Sequence, residues 1–249
     1  GLKARTPIRF HLFDFAFGDD TLSGVHDAQD RLAVHLDLHP GRDFDERRLV
    51  EVLAVVGDDR AVEAALHRAA AGRGVRVPED LEIVVEPGAH LTLIALQEWG
   101  TKTIHAARHH AIVDRDATFK SIVVTVGGDV VRLLPTVDFI APGASCDLSG
   151  VYFATAGQFF EHRMFVDHKV PHAKSRVNYK GALAGDKAHT VWIGDVFIRA
   201  AAEGTDTYEL NRNLLLSDGA RADSVPNLEI ETGEIVGAGH ASTTGRFDD

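Results

Sequence analysis

The sequence predicts a mainly β chain: a β-helix (solenoid) core with a small α-containing N-terminal region. Three observations predict it. From about residue 81 onward, short runs rich in Val, Ile, Leu, Phe and Thr alternate with Gly, Pro, Asp and Asn. No convincing helical pattern interrupts them. A loose internal repeat of solenoid-like length runs through the same region. A β-sandwich is the structural rival, because strands and turns alone do not exclude it.

The first 41 residues are mixed, with apolar runs at Ile8–Phe17 and Leu32–Leu38. In the second run Leu32, Val34, Leu36 and Leu38 alternate as in a half-buried strand. The stretch 43–73 has a different texture. Asp43 and Glu46 are spaced as a helix N-cap and its third residue. Leu49, Val52, Leu53 and Val56 then recur at helical intervals, Gly57 stops the run, and Asp58 is placed to cap a second one. Val62, Ala65, Leu66 and Ala69 continue that second run to Gly72. The expectation is a helix pair. It does not read as a DNA-binding helix-turn-helix, because its acids (Asp43, Asp45, Glu46, Glu51, Asp58, Asp59, Glu63) outnumber its arginines.

Strand-like runs follow at Leu81–Val85, His90–Leu96, Ser121–Val126, Val130–Phe139, Phe159–Val166, Thr190–Ile198 and Leu228–Glu231. Between them, the turns containing Ala89, Ala117, Ala144 and Ala173 recur at separations of 28, 27 and 29 residues (89 to 117, 117 to 144, 144 to 173). A small residue recurring at a turn suits stacked coils, where neighbouring backbones pass close together. The chain thus divides into a mixed N-terminal region, 1–80, and a β core, 81–249.

Charge excludes one class of partner. The chain of 249 residues has 26 Lys and Arg against 37 Asp and Glu, a net charge of −11. Phosphate binding needs clustered cations, so neither nucleic acid nor an anionic membrane is the expected partner. Cys146 is the sole cysteine. No intramolecular disulfide can form, which points to a reducing, cytoplasmic setting. One thiol also cannot hold a metal cluster alone. No run approaches the roughly 20 apolar residues of a membrane helix.

The last third carries specific motifs: Tyr179-Lys180-Gly181-Ala182-Leu183-Ala184-Gly185, Gly194-Asp195-Val196-Phe197-Ile198-Arg199, and Gly204-Thr205-Asp206-Thr207-Tyr208. They are followed by Asn211-Arg212-Asn213-Leu214-Leu215-Leu216, the segment from Asp218 to Ile230, and Gly239-His240-Ala241-Ser242-Thr243-Thr244-Gly245-Arg246. In that order the series resembles the SufB/SufD family of iron–sulfur cluster assembly scaffolds over about 81–249. The helix-pair stretch lies outside the resemblance. The resemblance implies a right-handed parallel β-helix, a dimer joined through C-terminal strands, and a complex with the SufC ATPase. This chain has no phosphate-binding Gly-x-x-x-x-Gly-Lys-Ser/Thr loop of its own. The family also has a C-terminal helical segment that docks SufC; it is expected to be absent from this chain, with weak SufC binding as the consequence.

SufB-type chains carry a functional cysteine where this sequence has Asn211, so the resemblance points to the SufD side. His240 matches the histidine of the SufD-type Cys-Ser-His-Gly-Ala-Thr motif, which here reads Ala238-Gly239-His240-Ala241-Ser242-Thr243, with alanine in place of the cysteine. The implied function is a non-catalytic scaffold that pairs with SufB and contributes His240 to a transient iron–sulfur cluster at their interface. Neutral imidazole is a good iron ligand and can replace cysteine in cluster ligation. One imidazole is not a site, so SufB would supply the remaining ligands; the isolated chain, with a homodimer as its alternative assembly, is expected to carry no cluster. An ordinary solvated loop histidine is the plain alternative.

Other candidates carry less. His162 and His168 share a strand face, but His172 follows Pro171 and should leave the strand. His109 and His110 point to opposite faces if extended. Cys146 reads as a buried, inert thiol. Glu229, Glu231 and Glu234 read as a solvated strand edge. Two rival functions remain. One is a carbohydrate-active β-helix enzyme, for which no paired acids repeat on adjacent coils. The other is a metal-free, self-associating structural module.

Overall fold

The structure, a computed structural model, describes residues 76–247, together with the backbone of three strands at 35–37, 49–56 and 61–69. In chain order these are β1 (His35–Asp37), β2 (Leu49–Val56), β3 (Ala61–Ala69), β4 (Arg76–Val85) and β5 (His90–Gln97). The next five are β6 (Ile104–Val113), β7 (Thr118–Thr125), β8 (Val130–Phe139), β9 (Ser145–Ala154) and β10 (Phe159–His168). The last five are β11 (Lys174–Leu183), β12 (His189–Ile198), β13 (Asp206–Leu215), β14 (Arg221–Ile230) and β15 (Gly237–Arg246).

Alternate strands build two sheets. Sheet A has the order β1-β4-β6-β8-β10-β12-β14 and sheet B the order β15-β13-β11-β9-β7-β5-β3-β2. Within β3 to β15 every pairing is parallel and skips one strand in sequence, while β1 joins β4 and β2 joins β3 antiparallel. That is the connectivity of a parallel β-solenoid: the chain lays one strand on sheet A, turns, lays the next on sheet B, and climbs one rung. The predicted β-helix is therefore present, and the sandwich alternative is not. Among the described residues no helix is long and apolar enough to cross a membrane.

Alternation decides what lies inside. In β8 the pattern is intermediate or exposed, then buried, along the whole strand, and β12 repeats it. Inward side chains stack in columns across coils. One column of sheet A runs Val85, Val113, Phe139, His168, Ile198 and Ile230. Its first five members are fully buried, whereas Ile230 is 42 % exposed because no coil covers it. Each buried aliphatic or aromatic side chain contributes about 1.5–3 kcal/mol.

The alanine repeat is the corner of the coil. Gly88, Asp116, Gly143, His172 and Gly204 each have positive φ and each precedes a small buried residue: Ala89, Ala117, Ala144, Ala173 and Thr205. Backbone bonds join successive corners: Gly88 N to Arg115 O at 2.8 Å, His172 N to Glu203 O at 2.7 Å, and Gly204 N to Glu234 O at 2.6 Å. The small side chain lets the next corner approach, and the left-handed residue turns the chain into the following strand.

The helix pair expected over 43–73 is a correction. The structure has strands β2 and β3 there, paired antiparallel, with β3 parallel to β5. The segment Leu49–Val56 is rich in β-branched residues, and sheet B offers its backbone a hydrogen-bonding edge. Helical spacing and strand alternation both fit so short an apolar run, and the sheet decides. The rest of that stretch, and the run Ile8–Phe17, lie outside the described residues. The strand expected at Leu32–Leu38 contains β1.

Candidate functional site

The last coil is the open end of the described solenoid. Strands β14 and β15 are terminal in sheets A and B, and most of their side chains are only partly covered. β15 is dominated by small residues: Gly237, Ala238, Gly239, Ala241, Ser242 and Gly245. Among the described residues no strand pairs with its outer edge, and such an edge is where another chain can add by strand pairing.

His240 lies on this strand and is exposed. Register places it beside Glu209 of β13, with Ala238 beside Thr207 and Ser242 beside Asn211. Ala238 packs against the edge of the core. A Cβ at the flanking Gly239 would meet the Tyr208 ring at 3.3 Å, so the glycine leaves room for that outward ring.

Asn211 is two residues along the neighbouring strand from the partner of His240; it lies on the same inward face and is fully buried, whereas His240 continues that face on the last, uncovered strand. Its amide donates to the Tyr152 hydroxyl at 3.0 Å and to the Tyr179 carbonyl at 3.2 Å. Its oxygen accepts from the Asn213 amide and from the Ser224 hydroxyl, both at 2.7 Å. Tyr152 in turn donates to Asn213 at 2.5 Å. This network ties β9, β11, β13 and β14 together inside the coil. His240 and Asn211 therefore share one end of the fold, one in solvent and one sealed within.

Glu209 is the residue that sequence reasoning missed. It is fully buried, and neither carboxylate oxygen has a hydrogen-bond partner among the described residues. Burial, with the nearby Asp195 charge, pushes its carboxyl up to about 8. Gly194 opposite leaves the room it occupies: a Cβ there would collide with the Glu209 carboxylate and Trp192. The missed signal was the even spacing of Thr207, Glu209, Asn211 and Asn213, a polar strand face that turns out to be the inner one.

The remaining histidines divide by facing. His162 and His168 are inward and buried. His162 shares a hydrogen bond with Thr125 at 3.0 Å and stacks on Tyr152 at 5.0 Å between centroids; burial pushes its imidazole down to about 4. His168 bonds the Ser175 hydroxyl at 2.9 Å and is lowered to about 4 by burial, partly opposed by Asp167. His172 sits at a positive-φ corner, off the strand. His109 faces inward, 3.3 Å from Glu79, while His110 faces outward onto Thr136 at 2.7 Å. His105, unremarked in the sequence, also faces Glu79, at 3.7 Å.

Cys146 is buried among apolar groups, and burial pushes its thiol well up, away from the nucleophilic thiolate. Glu229, Glu231 and Glu234 are exposed, and Glu231 accepts from the Ala200 amide at 3.2 Å. Among the described residues no group of three or more His, Cys, Asp or Glu side chains is arranged to hold a metal ion. The exposed imidazole of His240 is a single donor, and a cluster bound there needs thiolates from elsewhere.

Comparison with known proteins matches this architecture. The family model described as "SUF system FeS cluster assembly, SufBD core domain" matches residues 46–249. The match takes in most of the stretch 43–73 that the motif resemblance leaves out. The chain is 56 % identical over 177 residues to an iron–sulfur cluster assembly SufBD family protein of Mycobacterium tuberculosis, covering 69 % of this chain and 45 % of that protein. Over 177 residues it is 54 % identical to a namesake of Mycobacterium leprae, with the same coverage. It is 28 % identical over 167 residues to the iron–sulfur cluster assembly protein SufD of Escherichia coli, covering 67 % of this chain and 39 % of that protein. The matched part spans less than half the length of these relatives. With a parallel solenoid whose motif-bearing strands form its last coils, the chain belongs to the SufB/SufD family of iron–sulfur cluster assembly proteins.

Proposed function

We propose that this chain is the SufD-type, non-catalytic scaffold subunit of a cytoplasmic SufBCD complex. It pairs with SufB through β14 and β15 and contributes His240 to a transient iron–sulfur cluster completed by SufB. SufC supplies ATP-driven change. The observation that carries the reading is the exposed imidazole of His240 on a terminal strand of small residues whose outer edge has no partner strand among the described residues. Asn211 supports the SufD side: an amide holds four hydrogen bonds where SufB-type chains carry a functional cysteine. An amide neither accepts a persulfide nor ligates as a thiolate. The cluster is cargo, so its other ligands need not come from this chain.

The test is copurification with SufB and SufC, followed by cluster assembly on the complex. The expected result is a stable complex in which His240→Ala leaves subunit association intact and lowers cluster yield. Normal cluster formation by His240→Ala would remove the ligand role while leaving the scaffold role standing. Failure to associate with SufB would remove both.

A further inference from the structure

The two outer faces of the solenoid differ in how their cations are used. On sheet A, arginines bridge successive coils to carboxylates: Arg108 to Asp80, Arg132 to Glu161 and Arg163 to Asp195. Those cations are spent on holding rungs together. On sheet B, Lys120, Lys180 and Arg212 are exposed, and none forms an ion pair among the described residues. The carboxylates of that face are already engaged. Asp147 accepts from Ser149 at 2.7 Å, and Asp206 pairs with Arg176 at 2.8 Å. Both lie toward the N-terminal ends of their strands.

The C-terminal halves of β5, β7, β9, β11 and β13 present no outward carboxylate. They present apolar side chains instead. Register aligns Leu96, Val124 and Val151 in one row that continues into Lys180 and Arg212. A second row runs Phe153, Ala182 and Leu214. Val151 is 48 % exposed, Phe153 40 % and Leu214 40 %. In a chain of net charge −11, this is an apolar surface bordered by uncompensated positive charge.

We propose that the outer face of sheet B, centred on Val151 and Phe153 and bordered by Lys180 and Arg212, docks an acidic amphipathic helix of a partner protein. Exposed apolar patches rimmed by charge mark interaction surfaces. A sheet face is covered in stable architectures by another layer, and a helix is the element that lies on a flat parallel sheet. Complementary charge fixes its sign: Asp or Glu flanking an apolar stripe would pair with Lys180 and Arg212, whereas Lys or Arg would be repelled. The face is formed by sheet B alone, and the proposal depends neither on His240 nor on the function proposed above.

Fluorescence anisotropy with labelled synthetic helical peptides tests it. Three peptides of equal length are used: a leucine stripe flanked by Glu, the same stripe flanked by Lys, and a Glu peptide whose stripe is scrambled. Only the first is expected to bind, and more weakly as salt rises. The double variants Val151→Asp/Phe153→Asp and Lys180→Glu/Arg212→Glu should each lower that affinity by about tenfold or more. Ile104→Asp, on the outer face of sheet A, should leave it unchanged. Circular dichroism and the thermal midpoint establish that each variant is folded. Binding of the lysine peptide with equal affinity, no binding of the acidic peptide, or unchanged affinity in both double variants would overturn the proposal. Self-association of the chain abolished by Val151→Asp/Phe153→Asp would overturn it in favour of a second copy.

Discussion

Asn211 spends its hydrogen-bonding capacity inside the coil, on Tyr152, Tyr179, Asn213 and Ser224. Truncation to alanine removes the acceptor of the Asn213 amide and the Ser224 hydroxyl, and the amide donor to the Tyr152 hydroxyl and the Tyr179 carbonyl. Asn211→Ala should therefore destabilise the fold by about 1–3 kcal/mol, read from denaturant unfolding. Glu209 behaves in the opposite sense. Its carboxyl is raised from 4.5 to about 8 by burial. Between those values the unfolded chain gives up this proton while the folded chain keeps it. The folded state thus binds more protons, and stability falls as pH rises through the window, by up to about tenfold in the folding equilibrium per pH unit. Glu209→Gln should match the parent near pH 4.5 and be the more stable protein above pH 8. Thermal midpoints measured across that range decide it, and identical pH slopes would show that Glu209 is not the titrating group. The alternation that revealed strand β13 could not reveal these roles. Its Tyr208, Leu210 and Leu214 face outward while Thr207, Glu209, Asn211 and Asn213 face inward. Period is a property of the strand, but which face is buried is set by the sheet opposite.

At the scale of the element, β9 and β11 are matched through two reciprocal pairs. Gly150 lies beside Tyr179, and Tyr152 beside Gly181. A Cβ added at either glycine would run into the neighbouring tyrosine ring. Each ring thus lies across a backbone that has no side chain of its own, which lets two tyrosines share one layer of a narrow coil. Gly150→Ala and Gly181→Ala should each cost about 1–3 kcal/mol, as overpacking does. A thermal midpoint equal to the parent's in both would show that the rings move aside freely. The corners make a milder prediction. His172 holds a left-handed conformation without being glycine, φ 59°. His172→Gly should be neutral or stabilising by about 1 kcal/mol, because the left-handed penalty for a Cβ disappears. These devices were partly legible. The alanines at 89, 117, 144 and 173 announced the corners, whereas the Gly–Tyr exchange depends on a register that no single strand encodes. The helix pair failed for a related reason: Leu49–Val56 satisfies both periods, and its partner strand, β3, is outside the window in which periodicity is read.

The whole molecule is a stack whose interior changes character along its axis. The column Phe119, Cys146, Ser175, Thr207, Ala238 runs from aromatic to hydroxyl to methyl as it nears the open end. The buried network of Asn211, Asn213, Tyr152 and Ser224 occupies the same end. Polar cores are costly unless satisfied, so the Asn211 network places a specific, sequence-demanding part of the fold in the coils next to His240. The motif series of the last third is therefore both a structural signature and the floor of the proposed site, which explains why the family was readable where the N-terminal stretch was not. The central claim is that His240 ligates a cluster completed by a second subunit. Pulsed electron paramagnetic resonance tests it most directly, on a reduced cluster assembled in the complex with ¹⁵N-histidine confined to this chain. Ligation by His240 predicts a ¹⁵N coupling of a directly bound imidazole that is lost in His240→Ala. A cluster with no such coupling, or with a coupling that survives in His240→Ala, would contradict it.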